Sequence, residues 1–179
     1  MDLVRGIAAR VYPVGRLDYA SEGLVLLTND GDLAQKLMHA SSHVPKTYLV
    51  KVAGKPSAEA LAKLRSGITI VLEGKHGRKR LVKTAPARIQ LARDAPNPWY
   101  EVMLTEGRNR QIRRMFEQVG HHVEKIKRVR YGNLELDVPP REWRALTSSE
   151  VQRLRSMAAG KARREFMRGR GTKDGDEKA

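Results

Sequence analysis

The sequence predicts an α+β fold, with a mixed, largely antiparallel sheet flanked by helices. Three observations carry that prediction. Six short segments have strand character, four segments have helical spacing, and the two kinds do not alternate in the regular βαβ rhythm of a doubly wound sheet. At 179 residues the chain fits one domain with a substantial core and is short for two. Residues 1–160 are read as that domain. Residues 161–179 run from a basic stretch into Gly171, Gly175 and Asp176-Glu177-Lys178, with Phe166 and Met167 as the large apolar residues, and are expected to form a disordered tail.

Strand signals come at 23–28, 47–52, 68–72, 87–92, 99–105 and 123–131. The second is the clearest, since Tyr48, Val50 and Val52 alternate with Thr47, Leu49 and Lys51. The first helix is read at 33–39, opening after Asp30-Gly31-Asp32. The second spans 58–65, with Ser57 as its cap and Gly67 as its stop. A third is expected at 109–119, ended by Gly120. There Ile112, Met115, Phe116 and Val119 form one buried stripe, leaving Arg110, Arg113, Arg114 and Glu117 mostly off it. The last helix begins at Thr147-Ser148-Ser149-Glu150, a capping-box pattern, and turns Val151, Leu154, Met157 and Ala158 inward.

Charge narrows the function. Thirty-five Lys and Arg stand against twenty Asp and Glu, a formal charge of +15, with an isoelectric point near 10.5. Such an excess calls for a polyanionic partner. It is also concentrated: Lys75, Arg78, Lys79, Arg80, Lys83, Arg88 and Arg93 lie in one stretch without a carboxylate. A second run holds Arg108, Arg110, Arg113, Arg114, Lys125, Lys127, Arg128 and Arg130. That density suits phosphate tracking, in which each neutralised phosphate releases counterions. The absence of cysteine excludes disulfides, zinc ribbons, iron–sulfur clusters and a thiol nucleophile. No apolar run approaches the length of a membrane span and no secretion signal is present, so a soluble, cytoplasmic protein is expected.

Two segments have the residue types for chemistry. Val14-Gly15-Arg16-Leu17-Asp18-Tyr19-Ala20-Ser21-Glu22-Gly23-Leu24 sets an acid beside an arginine in a loop that enters an apolar strand. A carboxylate held near guanidinium groups stays ionised, as a nucleophile requires; an ordinary turn or ion pair would use the same residues. In Leu104-Thr105-Glu106-Gly107-Arg108-Asn109-Arg110-Gln111-Ile112-Arg113-Arg114-Met115 a strand ends, a glycine turns, and a basic helix begins whose free N–H groups favour phosphate.

Taken together, Gly-Arg-Leu-Asp, Gly-Leu-Val-Leu-Leu-Thr-Asn-Asp-Gly, Lys-Thr-Tyr, Glu-Gly-Arg-Asn-Arg-Gln-Ile-Arg-Arg-Met and Arg-Val-Arg-Tyr-Gly resemble the ribosomal RNA pseudouridine synthases of the RsuA/RluB branch, in order from about Tyr12 to Trp143. The resemblance implies the catalytic fold of that family, with a central basic cleft. It makes Asp18 the catalytic aspartate, Arg16 the arginine that fills the space of the displaced uridine, and Tyr48 the aromatic that stacks on the target base. Arg113 becomes the basic partner that pairs with the aspartate. Lys46, Arg108, Arg110, Arg114, Arg128 and Arg130 are expected on RNA, a large-subunit (23S) site being favoured over 16S. No metal or organic cofactor is expected, and a monomer is. The family also carries an S4-type RNA-binding domain and a Lys-Pro strand ahead of these motifs. Met1 to Arg10 contains neither, so the chain is expected to be an N-terminally truncated catalytic domain.

Other readings are weaker. Asp30 and Asp32 could serve a metal-dependent phosphodiesterase but sit where helix caps sit. His39, His43, His121 and His122 lack ligand spacing. Asp18 and Glu22 as a glycosidase pair conflict with the charge. A non-catalytic rRNA-binding or assembly protein would keep the basic surface but has no use for the aspartate and tyrosine.

Overall fold

A computed structural model describes residue 4 and residues 6–161. In chain order its elements are β1 (Tyr12–Pro13), β2 (Ser21–Gly23), β3 (Leu27–Thr28), α1 (Gly31–Met38), β4 (Lys46–Val52), α2 (Ala58–Ser66), β5 (Thr69–Glu73) and β6 (Lys79–Lys83). There follow β7 (Arg88–Arg93), β8 (Trp99–Leu104), α3 (Gln111–Glu117), β9 (Val123–Tyr131), β10 (Leu134–Glu135) and α4 (Ser148–Ser156). The expected tail lies, beyond Lys161, outside the described residues. No helix among the described residues is long and apolar enough to cross a membrane.

The architecture is α+β, as expected. A sheet runs in the order β10-β9-β4-β8-β7 with every neighbour antiparallel, and β2 joins β9 in parallel. In β8 burial alternates residue by residue, with Tyr100, Val102 and Leu104 facing the core and Trp99, Glu101 and Met103 less buried. One hydrophobic cluster packs Leu64 of α2, Ile112, Met115 and Phe116 of α3 and Ile70 of β5 against Val50 and Val102 of the sheet. A second gathers Leu33, Ala34 and Leu37 of α1 with Leu154 of α4, Val14 and Tyr131.

The caps form where the sequence puts them. Asp30 accepts from the Leu33 N–H at 2.9 Å, Ser57 from Ala60 at 3.1 Å, and Thr147 and Glu150 complete a reciprocal capping box. Gly67 ends α2 at φ +92°, where an added Cβ would overlap the Thr84 carbonyl.

Three expectations change. The segment 23–28 is two strands, because Gly23, at φ +111°, turns the chain and lies so close to Arg128 that a Cβ would overlap its carbonyl oxygen. β6 went unread, since Lys79-Arg80-Leu81-Val82-Lys83 places cations where a strand pattern wants contrast; it pairs with β5 as a separate hairpin. α3 is shorter than 109–119, because Arg110 precedes it in a left-handed conformation (φ 49°).

Candidate active site

The loop between β1 and β2 is pinned at both ends. Val14 is buried and its N–H bonds the Leu26 carbonyl at 2.8 Å, while Asp18 closes a turn by accepting from the Ser21 N–H at 2.9 Å. Asp18 is half-buried, and its carboxylate has no hydrogen-bond or ion-pair partner among the described residues. Arg16 and Tyr19 of the same loop are exposed.

Tyr48 reaches the site from β4. A bulge between Thr47 and Tyr48 skips one residue of β9, so that Tyr48 stands directly opposite Arg128. Arg128 in turn stands opposite Gly23 of β2. One row across three strands thus holds Tyr48, Arg128 and Gly23, the last residue of β2, five residues on from Asp18. Burial raises the Tyr48 phenol above its ordinary pKa. The Arg128 guanidinium works against that rise, and the Asp18 charge adds to it. Asp18, Tyr48 and Arg128 are therefore within electrostatic reach of one another.

Arg128, expected on RNA, is buried. Its Nε donates to the Leu24 carbonyl at 2.7 Å, its guanidinium lies 5.4 Å from the Tyr131 ring centre, and its Nη2 has no partner. Lys46 lies against the same ring, its Nζ 5.1 Å from the centre, and donates to the Val44 carbonyl at 3.3 Å. Burial, followed by the Arg128 charge, lowers the Lys46 ammonium to about 8. Tyr131 donates its hydroxyl to the Leu37 carbonyl at 3.0 Å, and burial pushes its pKa up to about 12.

The expected pairing of Arg113 with Asp18 is corrected. Arg113 is not off the buried stripe of α3 but 6% exposed. Its Nη1 donates to the Val123 carbonyl at 2.5 Å and its Nη2 to the Ala20 carbonyl at 2.9 Å. The physical reason is reach: the Val123 carbonyl and the part-buried Ala20 carbonyl both lie beside α3, and one planar guanidinium donates to both. Arg113 therefore bears on Asp18 through the loop's backbone, two residues away.

The remaining cations scatter. Arg114 donates through Nη1 to the Val71 carbonyl of β5. Arg108 pairs with Glu106 at 3.1 Å and Arg130 with Glu135 at 3.0 Å. Arg110 is exposed. Asp30 is spent on its cap and on Arg155, 3.0 Å away, and among the described residues no group of three or more His, Asp or Glu is placed to hold a metal ion.

Sequence reasoning missed Arg128 as the neighbour of Tyr48. A signal existed: Arg128 is two residues from buried Ile126 and so falls on the same face of β9. The Ala20 carbonyl gave none, being a backbone group. Chemically, an unpaired carboxylate beside a phenol held in its neutral form can act as nucleophile or base.

Residues 6–118 match the family model described as RNA pseudouridylate synthase. The chain is 47% identical over 161 residues to ribosomal large subunit pseudouridine synthase B of Bacillus subtilis (strain 168), covering 88% of this chain and 62% of that one. It is 40% identical over 140 residues to ribosomal large subunit pseudouridine synthase E of Xanthomonas axonopodis pv. citri (strain 306), covering 74% and 73%. A crystal structure of a pseudouridylate synthase superimposes with a TM-score of 0.72 at 30% identity, over 86% of this chain and 64% of that one. The chain spans about three fifths or less of the first curated relatives it matches. On the family match and these identities, the chain belongs to the RNA pseudouridylate synthase family.

Proposed function

We propose that the protein isomerises a uridine of large-subunit ribosomal RNA to pseudouridine, as a cytoplasmic monomer. The observation that carries this reading is the convergence of Asp18 and Tyr48 from separate segments, with the carboxylate free of a hydrogen-bond or ion-pair partner among the described residues. Its relatives are named for the large ribosomal subunit, and the +15 charge suits an RNA substrate.

In this reading the target base is flipped out of its stack, at a cost of a few kcal/mol, and packs on the Tyr48 ring. Asp18 attacks the ribose or the base, and the N1–C1′ bond breaks. The uracil turns, C5 bonds to C1′, the bond to Asp18 breaks and returns its carboxylate, the C5 proton is lost and N1 gains one, so substrate and product have the same composition. Arg113 holds the Asp18 loop in place through the Ala20 carbonyl. Arg128 stands behind Tyr48 and offsets part of the Asp18 charge felt there. Arg16, exposed at the loop, is the cation that occupies the vacated stack. Residues 1–160 serve as the catalytic domain and 161–179 as its tail.

The test is incubation of the protein with undermodified ribosomal RNA, followed by mapping of pseudouridine through base-specific chemistry. One new pseudouridine in large-subunit RNA, absent with Asp18→Asn, is expected. RNA bound tightly but left unmodified under the same conditions would favour a binding or assembly role and overturn the reading.

A further inference from the structure

Apart from the exposed Arg16 and Arg110 of the site motifs, a separate group of exposed cations lies on the β5–β6 hairpin. Between Glu73 and Lys83 the chain places Lys75, Arg78, Lys79, Arg80 and Lys83 against a single carboxylate. The segment forms the β5–β6 hairpin, with Leu72 opposite Arg80 and Thr69 opposite Lys83. Arg78, Lys79, Arg80 and Lys83 are exposed, and none has an ion-pair partner among the described residues. Among the described residues no strand pairs with the outer side of β6. A cationic outer edge also blocks edge-to-edge pairing between copies, so charge alone does not decide the matter.

What decides it is how the hairpin is mounted. A two-stranded hairpin is marginal by itself, and this one is fastened to α3: Ile70 enters the core beside Met115 and Phe116, and Arg114 donates to the Val71 carbonyl. At its base the Thr84 hydroxyl accepts from the Ile68 N–H at 3.0 Å, and Glu106 accepts from the Ala85 N–H at 3.0 Å. The neighbouring residue of α3, Arg113, bonds the Ala20 carbonyl of the Asp18 loop. Two adjacent arginines of one short helix thus tie the cationic hairpin and the Asp18 loop to a common support.

We propose that the β5–β6 hairpin is an RNA-backbone arm: Arg78, Lys79, Arg80 and Lys83 contact phosphates of the duplex flanking the target nucleotide, at a reach from Asp18 fixed by α3. This rests on the reading of the protein as an RNA-modifying enzyme. Phosphate fits the feature better than an acidic peptide does. Lys79 and Lys83 share one face of β6, about 13 Å apart at roughly 3.3 Å per residue, and Arg80 lies on the other, so an extended edge offers charge on both sides, and such cations contact a backbone without reading sequence.

The test compares two charge-matched triple variants of the full chain. In one, Lys79, Arg80 and Lys83 are changed to Gln; in the other, the exposed Lys36, Lys63 and Arg153 are changed to Gln. Binding to a stem-loop with a long duplex and to one with a minimal stem is followed by fluorescence anisotropy over a range of KCl. The hairpin variant is expected to lose at least tenfold in affinity for the long stem, with a log K against log salt slope lower by two or more, and to lose little on the minimal stem. The control variant is expected to lose less than threefold on both. Equal losses in the two variants, or an equal loss on the two RNAs, would overturn the proposal. Unchanged melting of the hairpin variant shows that the fold is intact; should the triple variant melt early, Lys79→Gln and Lys83→Gln singly carry the same comparison. Because binding is read without turnover, absence of pseudouridine would refute the enzymatic reading while leaving the arm testable.

Discussion

The two basic stretches of this chain have opposite fates. In the hairpin, Arg78, Lys79, Arg80 and Lys83 remain exposed and unpaired. Between residues 106 and 130, Arg113 and Arg128 are turned inward onto carbonyls. Arg114 bonds a third carbonyl, and Arg108 and Arg130 take carboxylates. Similar charge density in the sequence therefore gives a surface in one place and internal struts in the other. The difference is mounting: β6 keeps Lys79, Arg80 and Lys83 exposed on a two-stranded hairpin, while arginines of α3 and β9 reach backbone oxygens of neighbouring segments.

The comparison breaks hardest at Arg113. Arg113→Ala strands the Val123 and Ala20 carbonyls and is expected to cost about 3 kcal/mol, read as a melting temperature lower by about 10 °C. With the Asp18 loop released, turnover should fall by roughly a hundredfold. Arg113→Lys should be only partly restored, since one ammonium does not span both oxygens. A melting temperature unchanged in Arg113→Ala would show that the strut carries nothing.

Arg128→Gln should cost about 2 kcal/mol by losing the bond to Leu24 and the contact with Tyr131. It also removes the charge that lowers the Tyr48 phenol. The phenol absorbance titration, with Tyr48→Phe subtracted, should then move to higher pH; an unmoved titration would separate Arg128 from Tyr48.

Lys46 offers a pH test. Its folded pKa, about 8, lies below the unfolded value near 10.4. The folded state is therefore penalised below about pH 8, where both states are charged, and the penalty fades as pH rises towards 10.5. Lys46→Met should be most favourable, relative to the parent, below pH 8, and should lose an advantage on the order of 2 kcal/mol by pH 10.5. The stability lost above pH 10 as Tyr131 titrates towards its raised pKa is common to both proteins and cancels in the difference. A difference flat across this window would mean that Lys46 is solvated.

The smallest effect belongs to the hairpin. Lys79→Gln should change stability by less than about 0.5 kcal/mol, because an exposed, unpaired cation contributes little to the fold. A larger loss would mean that the hairpin cations are structural after all.

These contrasts also mark how far the sequence could be read. β9 is found at Val123–Tyr131, the limits expected, because β-branched and aromatic residues recur from Val123 to Tyr131 and Gly132 follows. The caps at Asp30, Ser57 and Thr147 are local chemistry, visible within four residues. Asp18 and Tyr48 were legible through their motifs, and the structure puts them in reach of each other. What stayed hidden depends on distant backbone. Nothing near Arg113 in sequence announces the Ala20 carbonyl, 93 residues away. β6 was masked because its side chains answer to solvent on an open edge, so its composition carries charge instead of alternation.

As proposed, Asp18, on a loop that Arg113 ties down, shifts the uracil's bond to ribose C1′ from N1 to C5. Forming the C5–C1′ bond expels the hydrogen at C5, so RNA carrying tritium at C5 of uridine reports the chemistry itself. The account predicts tritium release by the parent protein, close to none by Asp18→Asn despite retained RNA binding, and a rate roughly a hundredfold lower for Arg113→Ala. Release by Asp18→Asn at the parent rate would contradict it.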